Sequence, residues 1–269
     1  VDDKRSFAYL IRLSKIQDQD GDLNGAIASM ETAMEIARTS KKSGLYHWAL
    51  ANLGDMYGHD GQVEKSYRTY LKVLSLDPGY YHALSGIAWI AYSHDRNLQA
   101  AESIAEYLLE VKQHPDPYLL LAEIAAYRND TDREEQYIRQ FVNSAEKEIN
   151  GNMYHAHLAR IHAEHFEDFT ESTGYVVQEL DNRPTPQSYD LLAWNYYCRG
   201  QTDKALEVAR TKVEGATYEP DALYHLGVIY QAAGQTDMAR RYLEEAREAR
   251  FELGPVTARD IDRLLQKPL

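Results

Sequence analysis

The chain has 269 residues, 44% of them hydrophobic, enough to bury a substantial core. Its formal net charge of −13 disfavours nonspecific binding to nucleic acid or an anionic membrane, whose phosphates would be repelled, and keeps the chain in solution. The single cysteine, Cys198, excludes an internal disulfide and a multi-cysteine zinc site, and no apolar run nears the roughly 20 residues of a membrane span.

The chain starts at Val1 without a signal-like apolar stretch. This start reads as removal of an upstream segment, by processing of an exported protein or by trimming of a cytoplasmic one, so the compartment stays open. Helical patterns then alternate with turns. Helical hairpins start near residues 7, 47, 81, 115, 152, 186 and 220, and turn at Gly21, Gly61, Asp95, Asn129, Phe166, Gly200 and Gly234. The turn residues are spaced 40, 34, 34, 37, 34 and 34 apart, which is the mark of an internal repeat. Glycine reaches positive φ without penalty, and Asn and Asp tolerate it, so only Phe166 breaks the rule.

The surplus in the first interval falls around residues 39–45 and predicts a longer exit from the first hairpin. The surplus in the fourth falls near residues 149–151, and a hinge is expected at Asn150-Gly151-Asn152. After the array, residues 1–253, comes a C-terminal cap over 254–269. There Thr257 opens a helix with Asp260 three residues on, Ile261, Leu264 and Leu265 form its apolar face, and Asp262, Arg263 and Gln266 its polar one.

Within the hairpins, first helices carry a narrow apolar stripe, as in Leu50, Leu53, Gly54, Tyr57 and in Leu223, Leu226, Gly227, Tyr230. Second helices carry a small residue and then large ones, as in Ser66, Tyr70, Val73 and Ala239, Leu243, Ala246. Close packing at Gly54 and Gly227 predicts that a bulky replacement there destabilises. This order of leucine-glycine, tyrosine, small residue, large residue and closing proline (Pro78) resembles the tetratricopeptide repeat family across nearly the whole chain. The resemblance implies an all-α, right-handed superhelical solenoid of about seven helix-turn-helix repeats, whose first helices line a concave groove that holds a peptide or partner segment.

The groove face corresponds to repeat positions two, five, nine and twelve, opposite the core stripe at four, seven, eight and eleven. Instead of polar residues it bears Trp48, Trp89, Tyr92, Trp194, Tyr197 and Tyr224, so all three tryptophans lie there. With position thirteen it also bears Asp55, Asp116, Glu123, Glu164, Asp190 and Asp221, against Lys15 and Arg160. The candidate ligand-binding residues are Trp48, Asp55, His82, Trp89, Tyr92, Glu123, Tyr127, Trp194, Tyr197 and Tyr224. They favour a basic or neutral partner. Trp89→Ala or Trp194→Ala is expected to weaken partner binding while leaving thermal stability nearly intact. The competing reading of these aromatics is packing between neighbouring hairpins. Repeats that clamp a free C-terminal carboxylate use lysines and asparagines here, and only Lys15 and Asn52 come near such a set.

Chemistry finds little foothold. His162 and His165 have the spacing to share an ion, but His155 and His162 occupy core-stripe positions of the fifth repeat and replace its usual aromatics. No phosphate loop, dinucleotide fingerprint or nucleophile elbow occurs, and Cys198 has only Arg199 as a basic neighbour in sequence. The expectation is a non-catalytic interaction scaffold that needs no cofactor or metal and takes a protein or peptide partner, with no nucleic acid and no membrane insertion. Alternatives are a carbohydrate-binding module, which would gather its aromatics in one pocket, and a self-assembling structural protein. Oligomeric state is open.

Overall fold

In the computed structural model, which describes residues 6–112 and 114–266, the protein is all-α: no strand occurs among the described residues. The chain divides into two compact units, residues 1–113 and 114–269. Unit 1 holds three hairpins, α1 (Phe7–Gln19) with α2 (Leu23–Thr39), α3 (Ser43–His59) with α4 (Val63–Leu76), and α5 (Tyr81–Ser93) with α6 (Leu98–Val111). Unit 2 holds four, α7 (Asp116–Tyr127) with α8 (Thr131–Ala145), α9 (His155–Glu164) with α10 (Phe169–Asn182), α11 (Pro186–Cys198) with α12 (Thr202–Val208), and α13 (Pro220–Ala232) with α14 (Thr236–Glu248). It ends with α15 (Arg250–Gln266).

Local chemistry explains the hairpin ends. Asp22, Asn97, Asp130 and Asp168 precede second helices, and each side chain accepts from an otherwise orphaned backbone N–H of the first turn. Such a cap contributes about 1 kcal/mol. The turns between helices place Gly21, Gly61, Asn129, Gly200 and Gly234 at positive φ, as expected. In the third and fifth hairpins the positive φ falls one residue later than expected, on Arg96 and Glu167 rather than Asp95 and Phe166. Arg96 compensates through its own side chain: the guanidinium donates to the backbone carbonyls of Tyr92 (3.2 Å) and Ser93, which end α5.

Further expectations need correction. The surplus near residues 39–45 does not make a longer loop; α2 and α3 absorb it, each running 17 residues, so α3 begins at Ser43, ahead of the repeat pattern itself. The surplus near 149–151 does lengthen the exit of the fourth hairpin, as a short 3-10 turn (Glu148–Asn150) followed by Gly151 at φ 51°. The division of the chain into compact units lies elsewhere, between residues 113 and 114. The C-terminal cap forms: the helical stretch Arg250–Gln266 is interrupted at Gly254, whose φ of 75° and ψ of 169° are non-helical, so the capping helix follows Gly254 and does not open at Thr257. Its apolar face is in place, with Ile261 and Leu264 buried. Residues 267–269 of the expected cap lie outside the described residues.

The core of unit 1 shows why the leucine-glycine pattern matters. Tyr70 of α4 lies between two glycines of neighbouring first helices, Gly54 of α3 and Gly86 of α5. A Cβ built on either would fall 2.4 Å or 2.3 Å from the tyrosine ring. The ring is 3% exposed, and its hydroxyl donates to Asp55 Oδ1 at 2.5 Å. In unit 2, Glu214 follows a π-helical turn (Ala209–Val213) and accepts from both Tyr230 (2.5 Å) and Tyr242 (2.9 Å), whose rings stack. Buried phenols need such acceptors.

Candidate functional site

The candidate residues fall in both units. In unit 1, Trp48 and Asp55 stand on α3, and His82, Trp89 and Tyr92 on α5. Trp48 is 36% exposed and meets Phe7 edge-on at 6.1 Å. Trp89 is half-buried and meets Tyr92 edge-on at 5.4 Å. Tyr92 itself is fully buried and belongs to the core, which corrects its placement on the open face. The reason is angular: position twelve lies about 90° from the centre of the core stripe, on its shoulder, whereas positions two and nine lie nearly opposite.

Asp55 and His82 come from separate hairpins yet meet, with His82 Nε2 at 2.7 Å from Asp55 Oδ2. Asp55 thus answers the buried Tyr70 hydroxyl with one oxygen and the half-exposed imidazole with the other. Burial alone would depress the His82 pKa, but the hydrogen bond and the charge of Asp55 outweigh it and hold it above the ordinary value. A raised pKa means the folded state binds the proton more tightly. The pair's contribution is therefore full below the ordinary histidine value of about 6.5 and is lost as pH rises through the raised one. The melting-temperature gap between wild type and His82→Gln is expected to shrink between pH 6 and pH 8.5. A gap that stays constant across that range would contradict the pairing.

In unit 2, Glu123 and Tyr127 stand on α7, Trp194 and Tyr197 on α11, and Tyr224 on α13. Glu123, Tyr127, Tyr197 and Tyr224 are half-buried. Trp194 is only 7% exposed, contrary to an open aromatic face. Its indole stacks on His225 at 3.9 Å and on Tyr197 at 4.9 Å, and its Nε1 donates to Glu164 Oε1 at 2.5 Å. The next hairpin therefore covers the tryptophan, and packing between neighbours prevails at this position. His225, absent from the sequence-derived set, is itself buried and paired through Nδ1 with Asp190 Oδ2 at 2.8 Å.

Charges surround this stack. Arg160 of α9 reaches Glu164 at 3.4 Å and spans to Asp221 of α13 at 3.5 Å. Burial would lower the Arg160 pKa, but Asp221, Glu164 and Asp190 outweigh it and hold it above the usual arginine value. Burial would raise the Asp221 pKa, and Arg160 more than reverses this. Yet 36% of the Arg160 side chain and 58% of the Asp221 side chain remain accessible to solvent. The C-terminal helix packs close by: Tyr224 donates to Asp260 at 2.8 Å, and α15 reaches α7, where the Arg259 guanidinium sits 5.7 Å from the Tyr127 ring centre. Burial and then Glu164 push Cys198 up to about 12, Arg160 pulling the other way, so the thiol stays protonated at neutral pH.

The fifth-hairpin histidines sit among aromatics. His155 packs 5.2 Å from Tyr175, and His162 lies 5.3 Å from Phe166 and 5.7 Å from Tyr175. Among the described residues no group of three or more His, Cys, Asp or Glu is arranged to hold a metal, and no helix is long and apolar enough to cross a membrane. One concavity escaped the sequence reading, a groove of about 970 Å³ lined by residues of α4, α5 and α6 in unit 1, among them Tyr67, Ile87, Ile90 and Ile104.

Comparison with known proteins agrees with the repeat architecture. The tetratricopeptide repeat family model matches residues 7–40, 49–80 and 220–251. No curated protein matches the chain. Among solved structures, the chain is similar to a tetratricopeptide repeat protein from Parabacteroides merdae, at 19% identity and a TM-score of 0.51, over 97% of each chain. It is also similar to the Cut9–Hcn1 assembly of the APC/C (14% identity, TM-score 0.53) and to yeast Tom70 (13% identity, TM-score 0.50). In each case 98% of this chain is covered, against 53% and 65% of the other. At these identities the likeness concerns the fold.

Proposed function

We propose that the chain, three stretches of which match the tetratricopeptide repeat family, is a protein-interaction scaffold that binds a basic or neutral partner segment on the first-helix face of unit 1. The observation that carries this reading is the pairing of accessible aromatic area with acidic charge on α3 and α5. Trp48 is 36% exposed, Trp89 half-buried, and the Asp55 side chain retains 32% exposure beside His82. Indole faces provide large contact area at small rotamer cost, and the carboxylate selects against acidic segments. The same repulsion, with a net charge of −13, argues against nucleic acid as partner. The covered Trp194 takes no part in this surface.

A displayed library of random twelve-residue peptides, panned against the full chain, tests the reading. Enriched peptides are expected to carry Lys or Arg. Trp48→Ala and Trp89→Ala should each weaken a selected peptide by about 1 to 3 kcal/mol with little change in melting temperature. Absence of enrichment, or affinities indifferent to both substitutions, would refute it.

A further inference from the structure

The second-helix side of unit 1 carries a groove that the peptide face does not use. α4 and α6 both pack on α5 and leave between them the concavity of about 970 Å³. Its floor is α5, which turns Ile87, Ile90 and Ala91 (i, i+3, i+4) toward it and Trp89 away. The walls continue beyond it as apolar stripes. On α4, Leu71 follows the lining Tyr67 by one turn, and on α6, Tyr107 and Val111 prolong the line of Ala100 and Ile104. Tyr67, Leu71, Tyr107 and Val111 are 37%, 43%, 48% and 51% exposed. Large apolar side chains grouped along one groove, rather than scattered singly, mark an interaction surface.

Charge on the rim selects what fits. The cations on the α4 side are committed within the chain, Arg68 to Glu64 at 2.8 Å and Lys65 to Glu31 and the Tyr57 ring, each at 3.7 Å. On α6 the core side is Ala101, Ala105 and Leu108, and Glu106 and Glu110 lie one turn apart on the opposite, solvent side, beside the apolar stripe. Neither has an ion-pair partner among the described residues. A second copy of the chain, seated symmetrically, would set these carboxylates against their own equivalents, under a net charge of −13 per chain. A basic segment is the complementary occupant. The apolar lining also decides its conformation. An extended peptide would bring unpaired backbone N–H and C=O groups against it, whereas a helix satisfies its own.

We infer that this groove is a docking site for a basic amphipathic helix of a protein partner, whose apolar face enters between α4 and α6 and whose Lys or Arg side chains meet Glu106 and Glu110. The stripe from Ala100 to Val111 spans about 16 Å, three helical turns, and sets the length of helix that fits. Apolar anchors of the partner at i, i+4 and i+7 then lie along Tyr67, Leu71, Ile104 and Tyr107. The site is on the side of α5 opposite Trp89 and does not rest on the reading of the first-helix face.

A displayed library of alanine-based helices with randomised positions tests this, panned on the full chain with counter-selection on the double variant Leu71→Ser, Tyr107→Ser. Both side chains are half exposed, so this variant is expected to fold. Enriched helices should carry large apolar residues at i, i+4 and i+7 with Lys or Arg beside them. A selected peptide, titrated by fluorescence anisotropy, should bind about tenfold or more weakly to the double variant Glu106→Lys, Glu110→Lys, by a factor that shrinks as salt rises. Trp48→Ala should leave its affinity unchanged, so this site and the peptide face of unit 1 fail or hold independently. No helix that separates wild type from the counter-selected variant, acidic flanks on the enriched helices, or indifference to the two Glu→Lys changes would overturn the assignment. So would a sedimentation mass that doubles with concentration in wild type but not in the counter-selected variant, which would seat a second copy in the groove.

Discussion

Trp194→Ala is expected to cost about 3 to 5 kcal/mol of stability, the range for removing a buried tryptophan. The side chain is 7% exposed and fills the space between α11 and α13, where its indole stacks on His225. Truncation leaves a cavity between two hairpins and removes a donor to Glu164. It also exposes the His225–Asp190 pair, whose burial depends on that ring. Chemical denaturation followed by circular dichroism measures the loss. The outcome reverses what the sequence alone predicts for this residue, a loss of binding at nearly constant stability. A variant as stable as wild type would show that the face of α11 is open after all. Trp89→Ala and Trp48→Ala, on the accessible face of unit 1, serve as comparisons and should cost far less.

Gly86→Ala is expected to destabilise by about 2 kcal/mol, although alanine normally favours a helix. Helix propensity gains about 1 kcal/mol, whereas overpacking a filled core costs about 1 to 3 kcal/mol and sometimes more. The clash wins here because the new Cβ would lie 2.3 Å from Tyr70 Cζ, on a rigid ring. Retreat is blocked on the other side by Gly54, whose own built Cβ would lie 2.4 Å from Cε1, and the hydroxyl is tethered to Asp55. A double-mutant cycle with Tyr70→Leu separates the clash from any backbone effect. The combined variant should be markedly more stable than the sum of the single losses predicts. Strict additivity would mean that the glycine serves something other than the ring.

How much of this was legible follows from what each feature depends on. The hairpins and most turns were, because helical periodicity and glycine at positive φ are local properties. Gly54 was recognisable as a close-packing position from its place in the stripe, whereas Gly86 has the same role without a preceding leucine to mark it. Asp55 and His82 were each placed on the open face, but their meeting depends on the stagger between hairpins, which no single-helix pattern encodes. Trp194 was misjudged for the same reason: its own helix points it outward, and only the next helix, through His225, covers it. The division at residues 113 and 114 left no trace because the turn spacing runs through it at an unbroken 34.

The contact between α15 and α7 changes what kind of object unit 2 is thermodynamically. In a linear array each hairpin touches only its neighbours, stability is close to a sum of nearest-neighbour terms, and either end frays without the other knowing. Arg259 on Tyr127 joins the last helix of unit 2 to its first. Fraying at one terminus therefore removes an interaction from the opposite one, and the one-dimensional chain of couplings acquires a boundary condition that ties its ends. Such a loop of interactions sharpens the unfolding transition and makes closure of the seam a late step of folding, because the seam closes only after every hairpin between has formed.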